Sequence, residues 1–140
     1  MLTPPQQRYF QTYLASLMAA LDMDAWQIDV SADPCSPENN AEIVVVAGQK
    51  RADVYLSRMY PYESVEVQRH FIVHELVHAL IREMPDAIRL AKASMSRTEY
   101  RMLKKAHLQA EENVVDHLAG VIAARLPTPK PMWCKRARKV

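Results

Sequence analysis

Residues 71–78 read Phe71-Ile72-Val73-His74-Glu75-Leu76-Val77-His78, an apolar stretch that carries two histidines and a glutamate. Residues four apart share one face of a helix, so the imidazoles of His74 and His78 can reach the same ion. The glutamate between them can polarise a water molecule beside that ion. A buried helix with two chance histidines would leave polar groups without partners, whereas metal ligation supplies those partners. The pattern therefore predicts a helix with a zinc site, and Glu75 next to that site.

Two histidines leave the predicted site incomplete, because a catalytic zinc ion usually has three protein ligands and a water. The residues directly after His78 contain no further histidine, but a later stretch reads Glu111-Glu112-Asn113-Val114-Val115-Asp116. Glu112 and Asp116 are four apart, so one carboxylate can complete the site while the other orients a ligand imidazole. Glu111 is the competing third ligand, but its neighbour one turn on, Val115, has no carboxylate. We expect Glu112 to be the ligand and Asp116 the orienting residue.

The chain before residue 61 contains three short segments with strand character. Apolar and polar residues alternate from Trp26 to Val30 and from Ala52 to Leu56, and Ile43 to Val46 is an apolar run. Alternation is typical of half-buried strands, and residues that favour turns separate the three segments. We predict a small three-stranded, mostly antiparallel sheet.

Helical spacing and capping signals dominate the rest of the chain. Thr3 and Gln6 form a capping box around two prolines, and Ser96 and Glu99 form another. The predicted helices span residues 4–22, Pro61 to Glu83, 87–93, and Ser96 to about Arg125, with a break at Met84-Pro85-Asp86. The order α-β-β-β-α-α-α is typical of an α+β domain with helices on one face of its sheet.

Length and charge divide the chain into one domain and a short tail. A chain of 140 residues with 49% hydrophobic residues is long enough for one core and too short for two. We predict a single domain over residues 1–127 and a basic, proline-containing tail over residues 128–140. Basic residues also cluster in residues 87–107 and 130–140. Such clusters can bind nucleic acid, although a solvated helix face and a frayed tail are the simpler explanation.

The composition also bears on where the protein works. The apolar runs are far shorter than the roughly 18 residues that span a bilayer, and no basic segment followed by an apolar stretch opens the chain. Cys35 and Cys134 are too few for a disulfide framework, although the two could pair with each other. We expect a cytoplasmic protein with free thiols and no membrane contact.

The segment His74-Glu-Leu-Val-His78, followed by Glu112 and Asp116, resembles the gluzincin branch of zinc metallopeptidases, in which the third ligand is a glutamate on a later helix. Residues 112–122 are similar to the glutamate helix of the ImmA/IrrE-type peptidases of mobile elements, and the His-Glu helix is similar to that of the SprT type. The resemblance covers roughly residues 26–127. The chain differs in having no four-cysteine zinc ribbon of the SprT type and no recognisable helix-turn-helix. In addition, 33 residues separate His78 from Glu112, more than in many gluzincins.

This resemblance implies a zincin-like α+β fold in which an N-terminal helix and the small sheet precede an active-site helix and a long C-terminal glutamate helix. It also implies a zinc-dependent endopeptidase, encoded by a phage or another mobile element, that hydrolyses a protein or peptide substrate. His74, His78 and Glu112 would hold Zn²⁺, and Glu75 would be the general base that takes a proton from a zinc-activated water. The substrate would lie along an exposed edge of the sheet.

Two details of the implied site remain open in the sequence. A tyrosine or histidine is expected to steady the oxyanion, and the candidates are Tyr55, Tyr100, His107 and His117. His70 lies one turn before His74, and we expect it at the rim of the site rather than as a fourth ligand.

Three other functions are consistent with the same residues. The domain could bind zinc without cleaving anything and serve as an interaction module. The basic residues of 87–107 and 130–140 could direct a protease to substrates bound to nucleic acid. The third alternative is a structural α+β protein whose histidines bind no metal.

Overall fold

The computed structural model describes residues 1–133, apart from the side chains of residues 83–86. Its three-stranded sheet is preceded in the sequence by one α-helix and followed by three. The elements follow in the order α1 (Pro4–Ala20), β1 (Gln27–Val30), β2 (Ala41–Val45), β3 (Arg51–Leu56), α2 (Val65–Leu80), α3 (Glu83–Leu90) and α4 (Arg97–Ala123). The predicted α+β class and the order of its elements are confirmed.

Both predicted capping boxes are present. The Thr3 hydroxyl accepts a hydrogen bond from the Gln6 backbone N–H, and the Gln6 side chain accepts one from the Thr3 N–H. Ser96 and Glu99 make the same reciprocal pair at the start of α4. These bonds satisfy N–H groups that have no partner within the helix, so α1 and α4 begin where the sequence predicts.

The sheet is mixed rather than mostly antiparallel, and that part of the prediction is wrong. Its strand order is β1-β3-β2, with β2 antiparallel to β3 and β1 parallel to β3. The connection over residues 31–40 crosses the end of β3, where Ser57 N–H donates to the Asn40 carbonyl. The hairpin of β2 and β3 then returns the chain between the two outer strands, through a turn in which Gly48 has a φ of 72°.

The two edge strands of this sheet have different neighbours. Side chains of α1 pair with the backbone of β1: Gln7 and Gln11 donate to the carbonyls of Val30 and Ile28, and Gln11 accepts from the Val30 N–H. These bonds occupy the β1 edge, which would otherwise be open to another strand. The opposite edge is β2, and it faces the candidate site described below.

One face of the sheet is buried under α1 and α2. Ile28, Val30 and alternate residues of β3 are inaccessible to solvent, while Asp29 and Asp53 lie on the other face. The core continues into α1, α2 and the C-terminal half of α4, through Phe10, Leu14, Leu17, Ile72, Val73, Leu76, Val77, Val115 and Ala119. The helices therefore cover one sheet face, as predicted.

Helix α2, which carries both histidines, begins later than predicted. Pro61 lies in a short 3₁₀ turn over Tyr60–Tyr62, and α2 starts after Ser64, whose hydroxyl accepts from the Val67 N–H. The amide of buried Gln68 donates to the carbonyls of Tyr60, Pro61 and Glu63. This side chain satisfies the backbone of the turn, which therefore does not need to continue as α-helix.

The end of α2 also differs from the prediction of a helix to Glu83, a break at residues 84–86 and a short helix over residues 87–93. The helix ends at Leu80, and the following helix already includes residues 83–86. Pro85 is the third residue of α3, where the missing N–H has no helical acceptor to lose. The predicted short helix therefore starts earlier, and residues 91–94 form a 3₁₀ turn.

The last residue of the predicted domain and the first residues of the predicted tail pack against α1. The hydroxyls of Tyr9 and Tyr13 donate to the carbonyls of Lys130 and Pro127, and Trp133 lies edge-on to Tyr9 with their ring centroids 5.2 Å apart. The other predicted tail residues, 134–140, lie outside the described residues, and they include Cys134 and most of the basic cluster of residues 130–140. Within residues 1–133, no helix has the length and apolarity needed to cross a membrane.

Candidate metal centre

The position of α2 determines which side chains reach the site. Ile72, Val73, Leu76 and Val77 are buried in the core, so the remaining face of this helix turns His74 and His78 toward α4. The C-terminal half of α4 packs on α2 through Val115 and Ala119. This packing sets the register at which the carboxylates of α4 meet the imidazoles of α2.

Three potential ligand atoms converge between the two helices. The Nε2 atoms of His74 and His78 lie 3.1 Å apart. The Glu112 carboxylate lies 3.2 Å from His78 Nε2 and 3.5 Å from His74 Nε2 through its two oxygens. One ligand atom from each residue falls within 4.8 Å of the others, an arrangement that could hold a metal ion.

The opposite nitrogen of each imidazole faces a carboxylate. Asp116 Oδ1 lies 3.1 Å from His74 Nδ1, and Glu111 Oε1 lies 3.0 Å from His78 Nδ1. A carboxylate at Nδ1 favours the tautomer with a proton on that atom, which leaves a lone pair on Nε2. Two such lone pairs, 3.1 Å apart and next to a carboxylate, form an electron-rich cluster that suits a cation.

Glu112 and Glu111, the two residues considered as third ligand, occupy different positions around the histidines. Glu112 lies at both Nε2 atoms and is half-exposed, whereas Glu111 is largely buried at the far side of His78. Asp116 lies at Nδ1 of His74, the position expected of an orienting residue. The corresponding position of Glu111 at His78 was not predicted from the sequence.

One signal for the position of Glu111 was present in the sequence. His107 precedes Glu111 by one helical turn, and its Nε2 lies 3.0 Å from the second carboxylate oxygen. The carboxylate therefore lies between two imidazoles, one from each helix. A histidine and a glutamate four residues apart on the inward face of α4 indicate such a position.

Glu75 lies on the sheet side of the histidines and is buried. Burial raises the pKa of its carboxyl from 4.5 to about 7, although nearby His78 and a hydrogen bond from the Ile43 backbone act in the opposite direction. Burial and His78 lower the pKa of His74, against the effect of Glu112. The neutral form of this imidazole is the form that ligates metals.

A cleft of about 370 Å³ opens over these residues. One wall is the edge strand β2, which contributes Ala41, Glu42, Ile43 and Val45, and the floor is formed by His74, Glu75 and His78. Leu108, Glu111 and Glu112 of α4 close the other side. An extended chain could therefore pair with β2 while one of its peptide groups faces the histidines.

His70 lies outside this cleft. With His74 and Asp116 it forms a second group whose ligand atoms fall within 4.8 Å, and these three residues line a smaller neighbouring pocket. His74 belongs to both groups, and its Nδ1 is the atom that faces Asp116. Asp116 is therefore placed where it could orient His74, and it could also take part in this second group.

The candidates for oxyanion stabilisation do not line the cleft in the described part of the chain. Tyr55 lies on β3, His117 is exposed on α4, and the ring of Tyr100 lies 5.6 Å from the Lys92 ammonium. His107 contacts Glu111 instead. Arg82 does line the cleft and is a further candidate for this role.

Searches among protein-family models, curated proteins and solved structures gave no match to this chain.

Proposed function

We propose that this protein is a zinc-dependent metallopeptidase that cleaves peptide bonds in a protein substrate. The observation that carries the proposal is the convergence of His74, His78 and Glu112 next to buried Glu75, under an edge strand. Two imidazole nitrogens and one carboxylate oxygen are a common ligand set of catalytic zinc in peptidases. The half-exposed Glu112 carboxylate leaves the site open on the cleft side, as a catalytic rather than structural site requires.

His74, His78 and Glu112 would hold the ion, with Asp116 and Glu111 orienting the two imidazoles. Zinc bound there supplies a Lewis acid for water and for a carbonyl oxygen. The rest of the chemistry belongs to the side chains of the cleft. Their arrangement supports hydrolysis more directly than a purely structural role, because a general base lies beside the open position.

Glu75 is suited to proton transfer by its environment. A carboxyl whose pKa lies near 7 can take a proton from a water and then deliver it to the departing amine. The cleft wall formed by β2 would bind the substrate backbone by strand addition, which aligns a peptide group with Glu75. Exposed hydrogen-bonding groups of an edge strand recognise backbone rather than side chains, so this wall suits a polypeptide.

The first experiment is elemental analysis of the untagged full chain, purified without chelator, beside two variants. Wild type should carry about one zinc per chain, and Glu112→Ala should carry almost none. Glu66→Ala is the matched control, because it removes an exposed glutamate from the first turn of α2 and should keep the metal. A wild-type chain without zinc, even after zinc addition, would overturn the proposal.

The second experiment tests hydrolysis itself. The zinc-loaded chain is incubated with a library of proteome-derived peptides, and new termini are identified by mass spectrometry. Wild type should generate new termini, while Glu75→Gln should retain zinc and generate none. Zinc binding without cleavage would exclude the peptidase and leave the zinc-binding interaction module as the function.

A further inference from the structure

The first half of α4 carries a cationic face that the proposed chemistry does not use. Arg101, Lys104, Lys105 and Leu108 follow one another at helical spacing toward Glu112, so they share its side of the helix. All four are exposed. The buried residues of α4 are Val115, Ala119 and Ala123, all in its second half. Within the described part of the chain, no residue in the first half of this helix is buried in the core.

Along this face, side chains of α4 alone border a shallow, open groove of about 870 Å³ that adjoins the metal cleft. Leu108 and Glu112 line both the groove and the cleft, so a bound chain can pass from one to the other. Met102 and Leu108 expose 68% and 49% of their surface, enough to provide apolar contacts. The groove is therefore a continuation of the candidate active site along α4.

The charge of the groove is opposite to that of the cleft. Arg101, Lys104 and Lys105 line the groove, and in the described part of the chain none of the three makes an ion pair. Glu112 is the one acidic residue among those that line the groove within residues 1–133, and the proposed metal would neutralise it. Three cations without partners favour an anionic ligand.

A polypeptide fits these features better than nucleic acid. The described residues that line the groove include no aromatic side chain on which a base could stack. Four glutamates and one cation, Arg82, line the adjoining cleft, so carboxylates outnumber cations there and disfavour a continuous phosphate backbone. A peptide can carry acidic side chains over the groove and neutral ones through the cleft.

We propose that the cationic groove of α4 binds acidic residues of the peptide substrate, about three to five residues from the bond that is cleaved. The distance follows from geometry: Lys104, Lys105 and Arg101 precede Glu112 by roughly 10 to 16 Å along the helix, at 1.5 Å per residue. An extended chain advances about 3.3 Å per residue. This inference rests on the proposed peptidase function and names its substrate class.

The test uses the zinc-loaded full chain and the peptide library described above. Lys104→Glu/Lys105→Glu reverses the charge of the groove, and Arg8→Glu/Lys130→Glu makes the same change at exposed positions on α1 and the C-terminal segment. Aspartate and glutamate should be enriched three to five residues from the cleaved bond with wild type and the control. The groove variant should lose this enrichment, and its kcat/KM for an acidic peptide should fall about tenfold, through KM. Absence of enrichment with wild type, or its persistence in the groove variant, would overturn the proposal.

A binding measurement separates this inference from the proposed function. The zinc-loaded Glu75→Gln chain is titrated with a fluorescent acidic peptide, and Lys104→Glu/Lys105→Glu is added to the same background. Binding that weakens about tenfold in the groove variant supports the groove, even where the library shows no cleavage and the peptidase fails. Absence of peptide binding overturns the inference. The inference is also overturned if a single-stranded DNA of equal charge binds more tightly than the peptide and the groove variant no longer binds it. The groove would then be a nucleic-acid surface.

Discussion

Glu111 Oε1 lies 3.0 Å from Nδ1 of His78, while the next residue in the chain, Glu112, reaches Nε2 of the same imidazole at 3.2 Å. Adjacent helical residues point about 100° apart, so two consecutive glutamates can lie on either side of one ring. The Glu-Glu pair therefore combines a ligand with the group that orients another ligand. His74 has the equivalent pair in Glu112 and Asp116, which are one turn apart.

The first prediction separates the roles of these glutamates. Glu111→Ala should lower zinc affinity by about 10- to 100-fold, because His78 loses the acceptor that orients it but keeps its lone pair. Glu112→Ala should lower the affinity much further, because it removes a ligand. Competition with a chromophoric chelator measures both. If Glu111→Ala lost zinc as completely as Glu112→Ala, Glu111 would be the ligand and the two roles would be exchanged.

The second prediction concerns the pH dependence of the metal-free protein. The folded pKa of Glu75 is about 7, above the unfolded value of 4.5, so the folded state holds this proton over a pH range in which the unfolded state has released it. Stability from this group is therefore present below pH 4.5 and is lost as the pH rises through 7. Between pH 4.5 and pH 8, wild type should lose about 3 kcal/mol in the free energy of unfolding through this group, and Glu75→Gln should not lose it.

Urea unfolding with a chelator present measures this difference at each pH. The comparison between the two proteins removes the contributions of the neighbouring histidines, including His74, whose lowered pKa acts with the opposite sign. Parallel stability profiles of wild type and Glu75→Gln would show that Glu75 titrates normally.

The helix boundaries could be predicted where the signal is local. Thr3 with Gln6, and Ser96 with Glu99, fix helix starts through bonds within four residues, and both starts agree with the structure. The start of α2 could not be predicted from Pro61, because it depends on Ser64 and on Gln68 bonding back to the turn. A proline favours a first helical turn but does not require one.

The arrangement of the strands and of the site depends on longer-range contacts. The β1 segment has an alternating pattern that is compatible with either neighbour direction, and its parallel pairing with β3 follows from the path of residues 31–40. The histidine pair could be predicted because both residues lie on one helix. His107, one turn before Glu111, indicates only that Glu111 faces inward, because its position at His78 depends on how Val115 and Ala119 pack α4 on α2. The zinc ligation and the peptidase activity stay predictions.

The third prediction concerns the buried amide that holds the start of α2. Gln68 donates to three carbonyls in residues 60–63, and Tyr60 donates back to the Gln68 carbonyl at 2.6 Å. Gln68→Ala should lower the free energy of unfolding by about 2 to 4 kcal/mol, because the carbonyls lose their donor. Tyr60→Phe should cost about 1 kcal/mol.

Chemical denaturation measures both changes, with Glu66→Ala as the control on the same helix. The control should change stability by less than about 0.5 kcal/mol, because Glu66 is exposed. Equal stabilities for Gln68→Ala and Glu66→Ala would mean that the turn does not depend on the amide.

The fourth prediction is that metal stabilises the contact between α2 and α4. The proposed ligands come from both helices, so a bound ion adds a link that the unfolded chain lacks. At free zinc 100 times above its dissociation constant, the folded state should gain about 2.7 kcal/mol, which raises Tm by several degrees. His78→Ala should lose this gain, whereas His117→Ala, which removes an exposed histidine from α4, should keep it. Thermal unfolding with zinc and with chelator measures the difference. If zinc raised the Tm of His78→Ala as much as that of wild type, the stabilising zinc would be bound elsewhere in the protein and not at the proposed site.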